Sequence, residues 1–329
     1  MNKKGARSKV ETIGVITPGG DAPGMNPAVR AVVRTAIFNN LKVFGIYCGW
    51  RGLIEGKVKD LELNSVSGII NQGGTMLHTC RTPEFKEKAL RQKAMDVLRA
   101  YKIDALVVIG GDGSLRAAHQ LFKDFKLPVI HVPASIDNDI CGTDYSIGFD
   151  TAVNTAVEAI DKIRDTASSH ERIFVVEVMG RHNGHIALDV GLVAGAEAIL
   201  VPEIKYNIED IAKKLKYGKQ RGKNSFIIVV AEGVAQGTHI AKELKELIDA
   251  DIRVSVLGHM QRGGSPSALS RETACKLGAH AVELLLQGKS AMMVGLVSDK
   301  VVSNPMESVI KRKRKLDMDA YKLAEVLAG

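Results

Sequence analysis

Ser135, Asp137 and Asp139 stand two residues apart in the stretch VIHVPASIDND, residues 129–139. In extended backbone that spacing points one hydroxyl and two carboxylates to the same side. Carboxylates so close resist joint ionisation unless a cation, a metal or hydrogen-bond donors hold them. Such a group suits accepting a proton from a hydroxyl or gripping a polar substrate. An Asp-rich turn would use the same residues, since Asp and Asn are favoured in turns whatever the function.

Two further loops carry glycine and aspartate. GGDAPGMN, residues 19–26, follows an apolar run and precedes a helical pattern with Pro27 in its first turn. Backbone N–H groups and the helix dipole can cradle phosphate in that setting. Gly19 and Gly24 have the GxxxxG spacing, but Met25 stands where a Walker lysine belongs, and Asp21 breaks GxGxxG. A glycine-rich turn with no ligand is the other reading. GGDGS, residues 110–114, sets Asp112 between glycines, where a carboxylate can hold magnesium directly or through water. Phosphate donors, a metal carboxylate and a candidate base together describe phosphoryl transfer, in which catalysis is mostly positioning and charge neutralisation. Arg81, Arg172, Arg181, Arg253 and Arg262 all fall in or near such loops and can bind phosphate as forks. His182 and His185 have an HxxH spacing, but no third ligand makes a zinc site. His259 suits a neutral hydrogen bond to a sugar or phosphate.

The elements that must position these loops repeat: a short apolar run, a Gly- or Asp-rich loop, then a helical pattern. Runs at 12–16, 43–47, 105–109, 173–178, 199–201, 226–230 and 253–257 read as strands, and 151–164 as a helix. Strands alternating with helices predict α/β architecture, two three-layer α/β/α domains with mainly parallel sheets. Every polar cluster above falls at the carboxyl end of a predicted strand, where ligands bind in such sheets. The domain boundary falls near Phe149, with a return after Gln261.

With 329 residues, 45% of them hydrophobic, the chain can bury a sizeable core. A net charge of +8 favours anionic ligands. Only 5% of residues are aromatic and none interleave with a basic stripe, which argues against nucleic acid. The densest basic run, KRKRK at 311–315, reads as a solvated segment. Cys48, Cys80, Cys141 and Cys275 form no CxxC pair, and no apolar run approaches a membrane span. The expectation is a cytoplasmic protein with neither nucleic-acid nor membrane partners.

In order and spacing, GGDAPGMN, GGDGS, SIDNDICGTD, IGFDTA, KIRDTASSHER, VEVMGRHNGH, AEGV and VLGHMQRGGSP resemble the bacterial-type ATP-dependent 6-phosphofructokinases from about residue 13 to 295. The resemblance implies transfer of the ATP γ-phosphoryl group to the 1-hydroxyl of fructose 6-phosphate with Mg2+. It implies a nucleotide-binding domain of residues 1–148 with 261–315, and a sugar-phosphate domain of 149–260 with 316–329. Asp137 would be the base, Arg181 a transition-state cation, and Gly20 with Arg81 γ-phosphoryl stabilisers. Trp50, Thr82, Gly111, Gly113 and Ser114 would join Gly20 and Arg81 around the nucleotide, with Asp112 on magnesium. Ser135, Asp137, Asp139, Met179, Gly180, Arg181, Glu232, His259 and Arg262 would contact fructose 6-phosphate, Arg172 and Arg253 coming from a neighbouring subunit. A homo-oligomer, expected as a tetramer, is therefore part of the mechanism.

Pyrophosphate-using relatives typically carry Asp at the position of Gly113 and Lys at that of Ala134, so ATP is the donor expected here and a pyrophosphate-dependent enzyme is the alternative. Ala117 and Gln120 replace a glycine and a lysine on the nucleotide side. Arg30, Arg34, Arg164, Gly195, Glu197, Arg221 and Lys223 would form a site for an anionic effector, ADP or phosphoenolpyruvate. A basic nucleic-acid binder and a regulatory subunit without catalysis are the readings from other classes.

Overall fold

The computed structural model describes residues 10–328. In chain order the regular elements are β1 Thr12–Ile16, α1 Met25–Phe38, β2 Lys42–Ile46, α2 Gly49–Ile54, β3 Val58–Asp60, α3 Lys88–Ala100, β4 Ala105–Gly110, α4 Asp112–Phe125 and β5 Val129–Pro133. Then come α5 Phe149–His170, β6 Ile173–Val178, α6 His185–Val193, β7 Ala198–Leu200, α7 Ile208–Gln220, β8 Phe226–Ala231, α8 Gly237–Leu247 and β9 Ile252–Val256. The chain closes with α9 Ala268–Leu286, β10 Met292–Val297, β11 Lys300–Pro305, α10 Met306–Ile310 and α11 Met318–Leu327. Two compact units result. One holds the chain through Ser135, Asp139–Asp150 and Arg262–Arg314; the other holds Ile136–Asn138, Thr151–Gln261 and the chain from Lys315.

The first unit is built on a seven-stranded sheet in the order β11-β10-β5-β4-β1-β2-β3. The β10–β5–β4–β1–β2 neighbours pair in parallel; β3 and β11 run antiparallel at the edges. Every residue of β4 and β5 is buried, as expected of central strands covered on both faces, which read as unbroken apolar runs. Leu106 and Val108 of β4 pack with Leu115, Ala118 and Leu121 of α4. Helix α1 packs on β1, β2 and β4 and crosses α9, where a Cβ on Gly278 would lie 2.8 Å from Ala28 O. Only glycine allows that approach.

His131 sits fully buried in β5. Burial pushes its pKa down to about 3, and the backbone at Gly110 and Gly111 offsets this only in part. Below the ordinary histidine pKa of about 6.5 the unfolded chain takes up a proton that the native strand refuses. Stability is therefore expected to fall as pH drops from about 6.5 towards 3, by up to about 1.4 kcal/mol per pH unit from this group. Denaturant titrations across that range on wild type and His131→Phe check it; an identical slope in both would remove His131 as the cause.

The second unit has a four-stranded, all-parallel sheet in the order β7-β8-β6-β9. Ala212 and Leu215 of α7, with Ile240, Ala241 and Leu244 of α8, pack on Val175, Ile228 and Val230. Helix α6 packs on β7 and β8 and carries α11. Tyr321 of α11 donates from its hydroxyl to Ile199 O of the edge strand β7 at 3.2 Å.

One sequence-based expectation changes. The chain after β5 is not extended: Ala134 bridges to Ile147, Ile136 and Asp137 form a turn, and Asn138 has φ 49°. The period-two argument needs extended backbone and so does not apply to Ser135, Asp137 and Asp139. Asp137 packs into the second unit, Ser135 and Asp139 into the first. The basic run 311–315 is solvated as expected, with Lys311, Arg312, Lys313 and Lys315 exposed and only Arg314 half-buried. Lys311 pairs with Glu307 at 2.8 Å and Arg312 bonds Ser308 O at 3.1 Å. Arg314 donates to the carbonyls of Thr143 and Asp144, tethering the segment that follows Asp139. The four cysteines are free. Among the described residues no helix is long and apolar enough to cross a membrane.

Candidate active site

In the first unit the loops after β1 and β4 meet. Ser114 Oγ donates to Pro18 O at 2.7 Å and Thr79 Oγ1 to Gly19 O at 2.8 Å. A Cβ on Gly110 would lie 2.6 Å from Ser114 Oγ and 2.8 Å from Pro18 O, so the two loops close only on glycine. Arg262 donates to Asp21 O at 3.0 Å and fixes the first loop from the far end of the chain. Gly20, Trp50, Arg81, Thr82, Gly111, Gly113 and Ser114 line one cavity of about 660 Å³. Nothing lies within 4 Å of where a Gly113 Cβ would be.

Asp112 opens α4, where a carboxylate is favoured by the helix dipole. Its Oδ2 accepts from Arg116 Nε at 2.7 Å, and Arg116 lines the cavity. The hydrogen bond to Asp112, and then the field of Asp139, raise the Arg116 pKa further. Ser135 stands beside Gly111, whose Cβ would be 3.9 Å from Ser135 Oγ.

In the second unit Asp137 and Arg181 meet. Arg181 Nε lies 3.4 Å from Asp137 Oδ2, with the carboxylate side chain only 4% exposed and the guanidinium 48% exposed. The loop after β6 that carries Arg181 is also held by Gln261 and Glu232. Met179 N donates to Gln261 Oε1 at 2.8 Å, and Gln261 donates to Ala152 O at 3.4 Å. Glu232 Oε1 accepts from Gly180 N at 3.2 Å and Arg181 N at 2.8 Å. Arg181 itself has φ 53°, a left-handed conformation that costs a non-glycine residue about 1–2 kcal/mol. A buried carboxylate beside a half-exposed cation can take a proton from a hydroxyl while the cation faces developing negative charge. His259, in the short turn Gly258–Arg262, is exposed.

Elsewhere in this unit Asp251 pairs with Arg172 Nε at 2.7 Å and Arg253 Nε at 2.8 Å. Hydrogen bonds from Arg172 and Arg253 hold its carboxyl below the usual range.

The phosphofructokinase family pattern matches residues 12–285. The chain belongs to the phosphofructokinase family. It is 53% identical over 319 residues, 97% of this chain and 100% of the relative, to the ATP-dependent 6-phosphofructokinase of Bacillus cytotoxicus. The phosphofructokinase structure from Pichia pastoris superposes with a TM-score of 0.88 at 36% identity over 92% of this chain, which spans only 35% of that longer protein. The pyrophosphate-dependent phosphofructokinase from Marinobacter aquaeolei gives a TM-score of 0.83 at 25% identity, over 97% of this chain and 92% of that one.

The residues expected at an effector site fall in two groups. Arg30 and Arg34 lie on α1 in the first unit. In the second, Arg164 donates to Ala194 O at 2.5 Å and Gly195 O at 3.2 Å, Glu197 pairs with Lys223 at 2.5 Å, and Arg221 lies over the Tyr217 ring at 5.6 Å. Sequence reading missed Phe85, Lys86, Arg91 and Arg116 as cavity residues. Arg116 was detectable, four residues after Asp112 on one helix face; Arg91 offered no local signal.

Proposed function

We infer that this member of the phosphofructokinase family is an ATP-dependent 6-phosphofructokinase, forming fructose 1,6-bisphosphate and ADP from ATP and fructose 6-phosphate. The observation that carries the reading is 53% identity over 97% of the chain to an ATP-dependent enzyme. The open space at Gly113 supports a nucleotide donor, because an Asp there would crowd and repel a nucleotide phosphate.

Asp137 takes the proton from the 1-hydroxyl; that oxygen bonds to the γ-phosphorus as the bond to the β-phosphate oxygen breaks, and ADP leaves. Arg181 offsets the charge of Asp137 in the ground state and meets the charge that spreads over the transferring group. On the nucleotide side, backbone N–H at Gly20 and the Arg81 guanidinium oppose that charge, while Gly111, Gly113 and Ser114 line the phosphates. Ser135, Asp139, Met179, Gly180, Glu232, His259 and Arg262 hold the sugar phosphate.

Asp112, whose Oδ2 accepts from Arg116, is the carboxylate that would hold magnesium. Among the described residues no three ligating side chains cluster, and magnesium is usually held by one or two carboxylates, water and substrate phosphates. When bound there, Mg2+ supplies neutralisation of the donor's phosphate oxygens. Arg172 and Arg253, kept side by side by Asp251, serve a neighbouring subunit's sugar phosphate within a homotetramer. Arg30, Arg34, Arg164, Gly195, Glu197, Arg221 and Lys223 bind an anionic effector, ADP or phosphoenolpyruvate. A cytoplasmic location goes with this reaction.

Initial rates with ATP and with pyrophosphate on fructose 6-phosphate test the reading. Phosphorylation with ATP and magnesium is expected; turnover with pyrophosphate alone would overturn the donor assignment.

A further inference from the structure

The cavity in the first unit has a wall that the reaction chemistry does not use. Trp50 and Phe85 stack with centroids 4.4 Å apart and planes 10° from parallel, and both line the cavity with Gln120 and Arg91. Phe85 lies on the short turn Pro83–Lys86. Arg91 donates to Phe85 O at 3.0 Å and Lys86 O at 2.5 Å, and to Asp124 Oδ2 at 2.6 Å. The other carboxylate oxygen, Asp124 Oδ1, accepts from Gln120 Nε2 at 2.9 Å. The Arg91 and Asp124 side chains are 6% and 12% exposed. Burial pushes the Asp124 carboxyl up, but hydrogen bonds from Arg91 and Gln120 outweigh it and hold it below its usual range. Asp124 therefore only accepts, which decides which end of the Gln120 amide faces it: the nitrogen must, and the oxygen is left for the cavity.

We propose that Asp124 is a positioning residue for the nucleobase. Through Gln120 it presents an acceptor, Oε1, and through Arg91 it holds the Trp50–Phe85 wall, so the cavity selects a purine with a 6-amino group over one with a 6-carbonyl. An amino group donates to Gln120 Oε1. A carbonyl would oppose it, acceptor against acceptor, and lose the bond in a partly desolvated place. The proposal rests on the nucleotide-donor reading and deepens it.

The test compares ATP and GTP with wild type, Gln120→Leu and Asp124→Asn. Gln120→Leu removes the acceptor and leaves the buried Arg91–Asp124 pair in place, so it remains informative if Asp124→Asn does not fold. Both variants are expected to lower the ATP:GTP ratio of kcat/KM by about fivefold or more, through KM for the nucleotide, with KM for fructose 6-phosphate moving less than about twofold. A general structural defect would not single out one nucleotide. Trp50 is the sole tryptophan, so fluorescence titration with ATP and GTP measures base preference without turnover. A wild type that binds both equally, or a Gln120→Leu protein that keeps the wild-type ratio, overturns the proposal. Turnover with pyrophosphate alone overturns the donor reading, and the titration then still decides the base preference.

Discussion

Replacing Asp137 by asparagine is expected to lower kcat by about 10²-fold or more while leaving the KM for fructose 6-phosphate much less changed. The substitution keeps the shape of a buried side chain and removes only its ability to accept a proton. Asn can still lie beside Arg181, now 3.4 Å from the carboxylate, so the loop after β6 keeps its seat. Its other anchors, Gln261 and Glu232, are untouched. A loss confined to KM would assign Asp137 to binding alone, and near-normal turnover would remove it as the base.

Gly233→Ala is expected to cost about as much from outside the chemistry. A Cβ there would lie 2.0 Å from Arg181 O and 3.1 Å from Arg181 C, where real Cβ contacts stay beyond about 3.0 Å. The backbone carrying Arg181 must therefore shift by about 1 Å, and a misplacement of that size can cost about 10²-fold in rate. Glu232 pulls the same loop in through its two N–H bonds while Gly233 makes room for it. That division of labour accounts for the AEGV motif. The variant's kcat, measured beside a thermal unfolding curve, checks it: a folded protein with kcat within about threefold of wild type would show that the loop tolerates the methyl group.

Much of the fold was legible because central parallel strands are apolar throughout and end in glycine or aspartate. Residues 12–16 coincide with β1, and the expected strands at 43–47, 199–201 and 253–257 sit one residue late, since an apolar run does not mark where pairing stops. The hairpin of β10 and β11 was overlooked, although Ser298 and Asp299 between two valine-rich runs, at φ 48° and 60°, are a recognisable tight turn. The cavity-lining glycines after β1 and β4, and the arginine after β6 that pairs with Asp137, were readable as candidates from glycine spacing and charge. The direction of Asp137 was not, because the left-handed turn at Asn138 depends on packing that alternation cannot express. Arg91 and Asp124, 33 residues apart, likewise meet only in the folded unit.

The Tyr321 hydroxyl on Ile199 O bears on how the protein can be handled. Strand β7 is the outer strand of its sheet and only three residues long, and an uncovered outer strand is a template for pairing with another chain. Tyr321 occupies one carbonyl of that strand, so trimming the chain at Lys315 to obtain a smaller crystallisation target would free a backbone acceptor for pairing with another chain.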